Sequence, residues 1–208
     1  MHNYAAMLYK GDGFKSNKEK AARYDKLAAD KGYIDSIQCY AFMLSEGDGI
    51  DMNKVEAARY YKIAADKGDV YSIHKYAFMR FNGDGIESNK EEAAQYYKLA
   101  ADNGYVDSMC NYGNKLYEGE GVEKAKKEAA HYYKLAADNG DVESMCKYAV
   151  MLSEGDGIEK NKDEAARYYK LAADNVDTES IKKYTKFFDK TMKLKWIRKR
   201  PTNIIDLI

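Results

Sequence analysis

A 22-residue stretch, Gly47 to Gly68 (GDGIDMNKVEAARYYKIAADKG), is repeated along the chain. Related copies begin at Gly11, Gly83, Gly119 and Gly155, so that with Gly47 a copy starts every 36 residues. Self-similarity at that period requires a stacked array, because a unit this short cannot bury an apolar face alone. The 208 residues include a single proline and are 45% hydrophobic. That is ample material for a core, which in an array is a ribbon and not a globule.

Asp69 to Gly104 gives the clearest unit. Asp69 can cap a helix by accepting from exposed backbone N–H groups, and that helix is predicted over about Val70 to Asn82. Ser72, Tyr76 and Met79 follow the spacing of one buried helical face. Gly83 and Gly85 end the helix, since glycine enters the left-handed conformation of a C-terminal cap without penalty. Asn89 opens a second helix with Glu92 three residues later, a capping-box pair repeated by Asn53 with Glu56 and Asn161 with Glu164. Lys20 and Ala125 depart from it, so weaker starts are expected in the first and fourth copies. Ala93, Tyr97 and Ala100 form a stripe beside Ala94 and Ala101, and the small residues let a neighbouring helix approach closely. Asn103 and Gly104 close the unit with a left-handed cap. No segment alternates with strand period, so the expected fold is all-α: helix, tight turn, helix, tight turn.

These residues resemble the Sel1-like repeat family, relatives of tetratricopeptide arrays. The matching marks are Gly47-Asp48-Gly49-Ile50, then Glu56-Ala57-Ala58-Arg59-Tyr60-Tyr61-Lys62, then Ala64-Ala65-Asp66-Lys67-Gly68, repeated through roughly residues 1 to 175. Two features depart from the family. Its usual Leu-Gly pair reads Tyr40-Ala41, Tyr76-Ala77, Tyr112-Gly113 and Tyr148-Ala149. Its usual alanine reads Ser36, Ser72, Ser108 and Ser144, whose hydroxyls need partners when buried. The resemblance implies a right-handed superhelical α-solenoid of about five repeats plus a C-terminal capping helix. Its expected divisions are an incomplete first repeat over 1–32, repeats over 33–68, 69–104, 105–140 and 141–176, a basic capping helix over 177–200 and a tail over 201–208. Some family members are secreted and staple each repeat with a cysteine pair. Here Cys39, Cys110 and Cys146 occur one per copy, so that variety does not apply.

The two ends differ from the middle. Met1 falls at the phase of Ile37, Ile73, Met109 and Met145. Either the array frays there or Met1 is an internal methionine of a longer product. Nine of the 34 basic residues lie in Lys182 to Arg200, and only Asp189 and Asp206 are acidic beyond residue 181. That leaves 25 basic and 32 acidic residues in 1–181, an acidic array with a basic end. One reading makes that end a capping helix, with Phe187, Phe188, Met192 and Trp196 on the array. Another makes it a basic patch (Lys193, Lys195, Arg198, Lys199, Arg200) for nucleic acid or an anionic membrane surface, or a nuclear-import signal.

No run approaches the roughly 18 apolar residues of a membrane helix, and the N-terminus lacks the pattern of a signal peptide. Three cysteines without a secretory signal fit reduced thiols, so a cytoplasmic location is expected.

Catalytic signatures are missing. The GDG turns follow helices, lack a P-loop lysine and lack the ligand spacing of a calcium loop. His74, Cys110 and Cys146 share one phase, with Gln38 and Lys182 flanking. Helices about 8–10 Å apart hold them too far from one another for a shared metal or a disulfide. His131 and His2 suggest no catalysis. No cofactor, metal or enzymatic activity is expected.

What remains is a surface. In tetratricopeptide-like arrays the first helices line the concave side, which here places Phe42, His74, Phe78, Phe81, Asn114, Tyr117 and Val150 on a groove. Gln38, Ser45, Cys110, Cys146 and Ser153 complete the same i, i+4, i+7 triplets. Such a groove suits an apolar peptide or helix of a partner protein, because aromatic anchors dominate binding energy. The alternative is that these aromatics only pack on the adjacent helix. The expected function is a non-enzymatic scaffold or adaptor. A membrane or nucleic-acid adaptor acting through the basic end is the other reading.

Overall fold

A computed structural model describes residues 2–13 and 15–175. Ten helices and no strands are found among the described residues. They are α1 (His2–Lys10), α2 (Lys18–Ala29), α3 (Ile34–Glu46), α4 (Lys54–Asp66), α5 (Val70–Asn82), α6 (Lys90–Asp102), α7 (Val106–Glu118), α8 (Lys126–Asp138), α9 (Val142–Glu154) and α10 (Lys162–Asp174). The main packing joins helices consecutive in the chain. Each odd helix and the even helix after it make a hairpin, and each hairpin leans on the next. The protein is an all-α repeat solenoid.

The helix ends follow local chemistry. Asn17, Asn53, Asn89 and Asn161 accept through their side chains from the backbone N–H three residues on, at 2.8–3.0 Å. Ala125 has no side chain to do so, and α8 starts without that bond. The weak start expected at Lys20 is corrected: Asn17 caps α2 through Lys20 N–H at 2.8 Å. A capping box would return a glutamate to the cap's own backbone N–H. That donor is already used, because Asn17, Asn53, Asn89, Ala125 and Asn161 donate it to Leu8, Leu44, Arg80, Leu116 and Leu152 in the preceding helix. A glutamate at position 20 would therefore find the donor taken, and its absence costs nothing there.

The two glycines of each turn have separate duties. Gly83 is the left-handed cap, with φ +73°, and its N–H donates to Met79. Gly85 also has positive φ, and a Cβ there would run into the backbone of Lys54 in the preceding repeat. Only a hydrogen on that carbon lets the turn touch the neighbouring helix start.

Alanine and tyrosine build the ribbon core. Ala21, Ala57, Ala93 and Ala129 are fully buried, and Tyr61, Tyr97 and Tyr168 are at most 2% exposed. Burying one such ring contributes on the order of 1.5–3 kcal/mol. Every hairpin also carries an edge-to-face tyrosine pair twenty residues apart. These pairs are Tyr4–Tyr24, Tyr40–Tyr60, Tyr76–Tyr96, Tyr112–Tyr132 and Tyr148–Tyr168, with ring centres 4.8–5.0 Å apart.

Between hairpins the contacts recur thirty residues apart. Lys18, Lys54 and Lys90, at the first position of their helices, pair with Asp48, Asp84 and Glu120 of the next turn at 2.8–3.1 Å, and Lys126 pairs with Asp156. Tyr60, Tyr132 and Tyr168 donate their hydroxyls to Asp30, Asp102 and Asp138 at 2.7–3.3 Å. Partly exposed ion pairs are worth at most about 1 kcal/mol each, so they set the offset between hairpins while burial supplies the stability.

The buried serines find partners unevenly. Ser36 Oγ donates to Asp25 at 2.9 Å and Ser108 Oγ lies 2.8 Å from His74 Nδ1, whereas Ser72 Oγ has no hydrogen-bond partner among the described residues.

Candidate protein-binding face

The odd helices hold the residues that the sequence assigns to a groove. Phe42, Phe78, Asn114 and Val150 occupy one repeat phase, each at the ninth position of a thirteen-residue helix. Phe78 is 47% exposed in the middle of α5. Phe42 is half-buried and lines a groove of about 310 Å³ with Tyr71 and Gln38, between α1, α3 and α5. Val150 is half-buried against the core. Asn114 is held through its Oδ1, which accepts from Tyr133 at 2.8 Å and from Lys147.

Phe81 and Tyr117, one turn further on, are committed to neighbours. Lys115 Nζ sits 3.4 Å above the Phe81 ring centre and Lys90 Nζ 5.1 Å from it. Tyr117 donates to Asp156 at 2.7 Å, and this bond to a carboxylate pushes its pKa up to about 12. Both residues are partly buried against the core.

His74 is the residue that the sequence misplaces. It is 8% exposed, bonded to Ser108 and packed on Tyr97 and Tyr105 with ring centres at 5.7 and 4.8 Å. Burial holds its pKa down to about 4, so it is neutral and leaves little surface to a partner. Cys110 and Cys146, in the same phase, are buried free thiols whose pKa burial pushes up to about 12. The proposed basic patch at Lys193, Lys195, Arg198, Lys199 and Arg200 lies outside the described residues.

Sequence reasoning missed Tyr71, which lines the groove beside Phe42, and Lys115 and Lys147, which fix Phe81 and Asn114. It also missed Asp25. That carboxylate stands where Tyr61, Tyr97, Tyr133 and Tyr169 stand in later copies, and it is 4% exposed. The departure is readable in the first copy as Arg23-Tyr24-Asp25-Lys26 against Arg59-Tyr60-Tyr61-Lys62.

Helical hairpins stacked on an alanine and tyrosine ribbon, with odd-helix aromatics left partly open, define a tetratricopeptide-like α-solenoid. The Sel1 repeat model matches residues 1–33, 40–69, 70–105, 106–141 and 142–177, and the chain belongs to the Sel1 repeat family. Proteins of this family are generally protein-interaction scaffolds, typically without enzymatic activity.

The fold is similar to that of a Sel1 repeat protein from Oxalobacter formigenes, at 27% identity and a TM-score of 0.83, covering 93% of this chain and 80% of that one. It is also similar to a protective antigen of uropathogenic Escherichia coli strains displaying an SLR fold, at 25% identity and a TM-score of 0.82. That match covers 91% of this chain, which spans only 40% of the antigen's length. A putative Sel1 repeat protein from Klebsiella pneumoniae shares the fold at 17% identity and a TM-score of 0.54, covering 92% of this chain and 91% of that one. No curated protein matches the sequence. Among the described residues no helix is long and apolar enough to cross a membrane.

Proposed function

We propose that this chain is a non-enzymatic scaffold that holds a partner's peptide or helix along the odd helices. Phe42 and Phe78 are its apolar anchors, with Asn114, Tyr117, Val150 and Phe81 beside them. The observation that supports the reading is Phe78: a large aromatic left half in solvent at a phase otherwise half-buried. Aromatic rings of that size supply the anchors of many protein interfaces. The excess of acidic over basic residues in 1–181 favours a segment with an apolar anchor flanked by lysine or arginine.

The test is selection of displayed peptides on the full-length protein, followed by calorimetry. Peptides with an apolar centre and basic flanks are expected to emerge. Phe42→Ala with Phe78→Ala is expected to weaken them at least about tenfold while the far-ultraviolet spectrum keeps its helical form. Selected peptides that bind the double variant as tightly as the parent would overturn the assignment.

A further inference from the structure

Asp25 is a carboxylate placed where the array elsewhere puts a core tyrosine, and two chemically different ligands converge on it. His2 Nδ1 lies 3.1 Å from Asp25 Oδ1, and Ser36 Oγ donates to the same oxygen at 2.9 Å. Cys39, one turn along α3 from Ser36, completes the group. One donor atom each from His2, Asp25 and Cys39 lie within 4.8 Å of one another. All three residues line the groove that also reaches Phe42. Among the described residues no other set of three histidine, cysteine or acidic side chains gathers so closely.

We infer that His2, Asp25 and Cys39 form a binding site for a thiophilic divalent cation of the zinc class, with its fourth position open to the groove. One nitrogen, one oxygen and one sulfur donor suit zinc and disfavour magnesium and calcium, which select oxygen. Ligands to tetrahedral zinc, at about 2.0–2.3 Å from the ion, stand roughly 3.3–3.8 Å apart. With all three donors within 4.8 Å of one another, closure by at most about 1–1.5 Å brings them to that spacing. On binding, Cys39 Sγ forms the metal bond and its proton leaves to solvent. Ser36 acts from behind, holding the Asp25 carboxylate in place as an outer-shell hydrogen bond does. The cation adds positive charge beside a carboxylate whose charged form burial disfavours. Without it, burial, with Asp25 adding, holds the Cys39 thiol protonated, its pKa pushed up to about 11.

Cobalt(II) titration of the reduced, full-length, metal-stripped protein tests this. One equivalent is expected to give the intense thiolate-to-cobalt charge-transfer band and the visible bands of four-coordinate cobalt, both bleached by zinc. Cys39→Ser is expected to abolish the charge-transfer band. Asp25→Asn and His2→Gln are expected to weaken binding at least about tenfold, whereas Cys110→Ser with Cys146→Ser leaves it unchanged. Asp25→Tyr, which puts the residue of the later copies at this position, is expected to lose the site while the far-ultraviolet spectrum keeps its helical form. Lack of a thiolate band at millimolar cobalt, or a band that survives Cys39→Ser or Asp25→Tyr, would overturn the assignment.

Discussion

The first and third hairpins fill the same position in opposite ways. In the third, Tyr97 presses a whole ring into the stack at 2% exposure. In the first, Asp25 is just as buried, at 4% exposure, but reaches its neighbours through hydrogen bonds to His2 and Ser36. The backbone tolerates both because the hairpin is held by its alanine stripe and its paired tyrosines, which are present in each. Tyr4–Tyr24 and Tyr76–Tyr96 have nearly the same geometry. The position is thus free to carry either packing or polar contacts, and among the described hairpins the first alone fills it with a carboxylate.

Cavity formation gives the sharpest contrast. Tyr97→Ala is expected to cost about 3–5 kcal/mol, the usual loss for removing a buried ring. Asp25→Ala is expected to cost less, about 1–3 kcal/mol for stranding its partners. Urea unfolding of the two variants checks the ranking, and equal losses would break the comparison.

Titration separates the hairpins next. His74 has a folded pKa of about 4 against an ordinary 6.5, so its folded form binds fewer protons than its unfolded form. Its contribution is fully present above about pH 6.5 and is lost as pH falls towards 4, by up to about 3 kcal/mol. Asp25 runs the other way. Its pKa is raised, chiefly by burial, so its contribution is present at low pH and fades as pH rises through the raised value. His74→Gln is expected to flatten the acid limb of stability between pH 6.5 and 4, measured by chemical denaturation at several pH values.

Replacing the odd member by the common one is a smaller step. Asp25→Tyr is expected to raise stability by about 1–2 kcal/mol, since apolar groups often outperform a buried charged network. A lower unfolding midpoint would show that the first hairpin has no room for the ring. Last, Ala125→Asn gives α8 the side-chain cap that Asn17 gives α2, for about 1 kcal/mol. A thermal melt reads that gain directly.

Much of this fold is legible in the residues. The 36-residue period, the left-handed glycines and the span of α5 follow from spacing and turn chemistry alone. Phe78 was also readable as a surface ring. Other features depend on how hairpins are offset, which one repeat does not reveal. Lys54 meets Asp84 and Gly85 meets Lys54 only once the neighbouring helix start is placed beside the turn. The phase of His74 points to the groove, yet Ser108 of the next odd helix draws it inward. Asp25 was hidden by the strength of the repeat around it: four matching residues on either side made one mismatch look like variation.

The ties that run thirty residues ahead have an evolutionary corollary. Cutting out or duplicating any 36-residue block brings an equivalent lysine up to an equivalent acidic turn at the new junction. Array length can therefore drift by whole units, with no seam needing invention, while a gain or loss of a few residues misaligns every clasp it crosses.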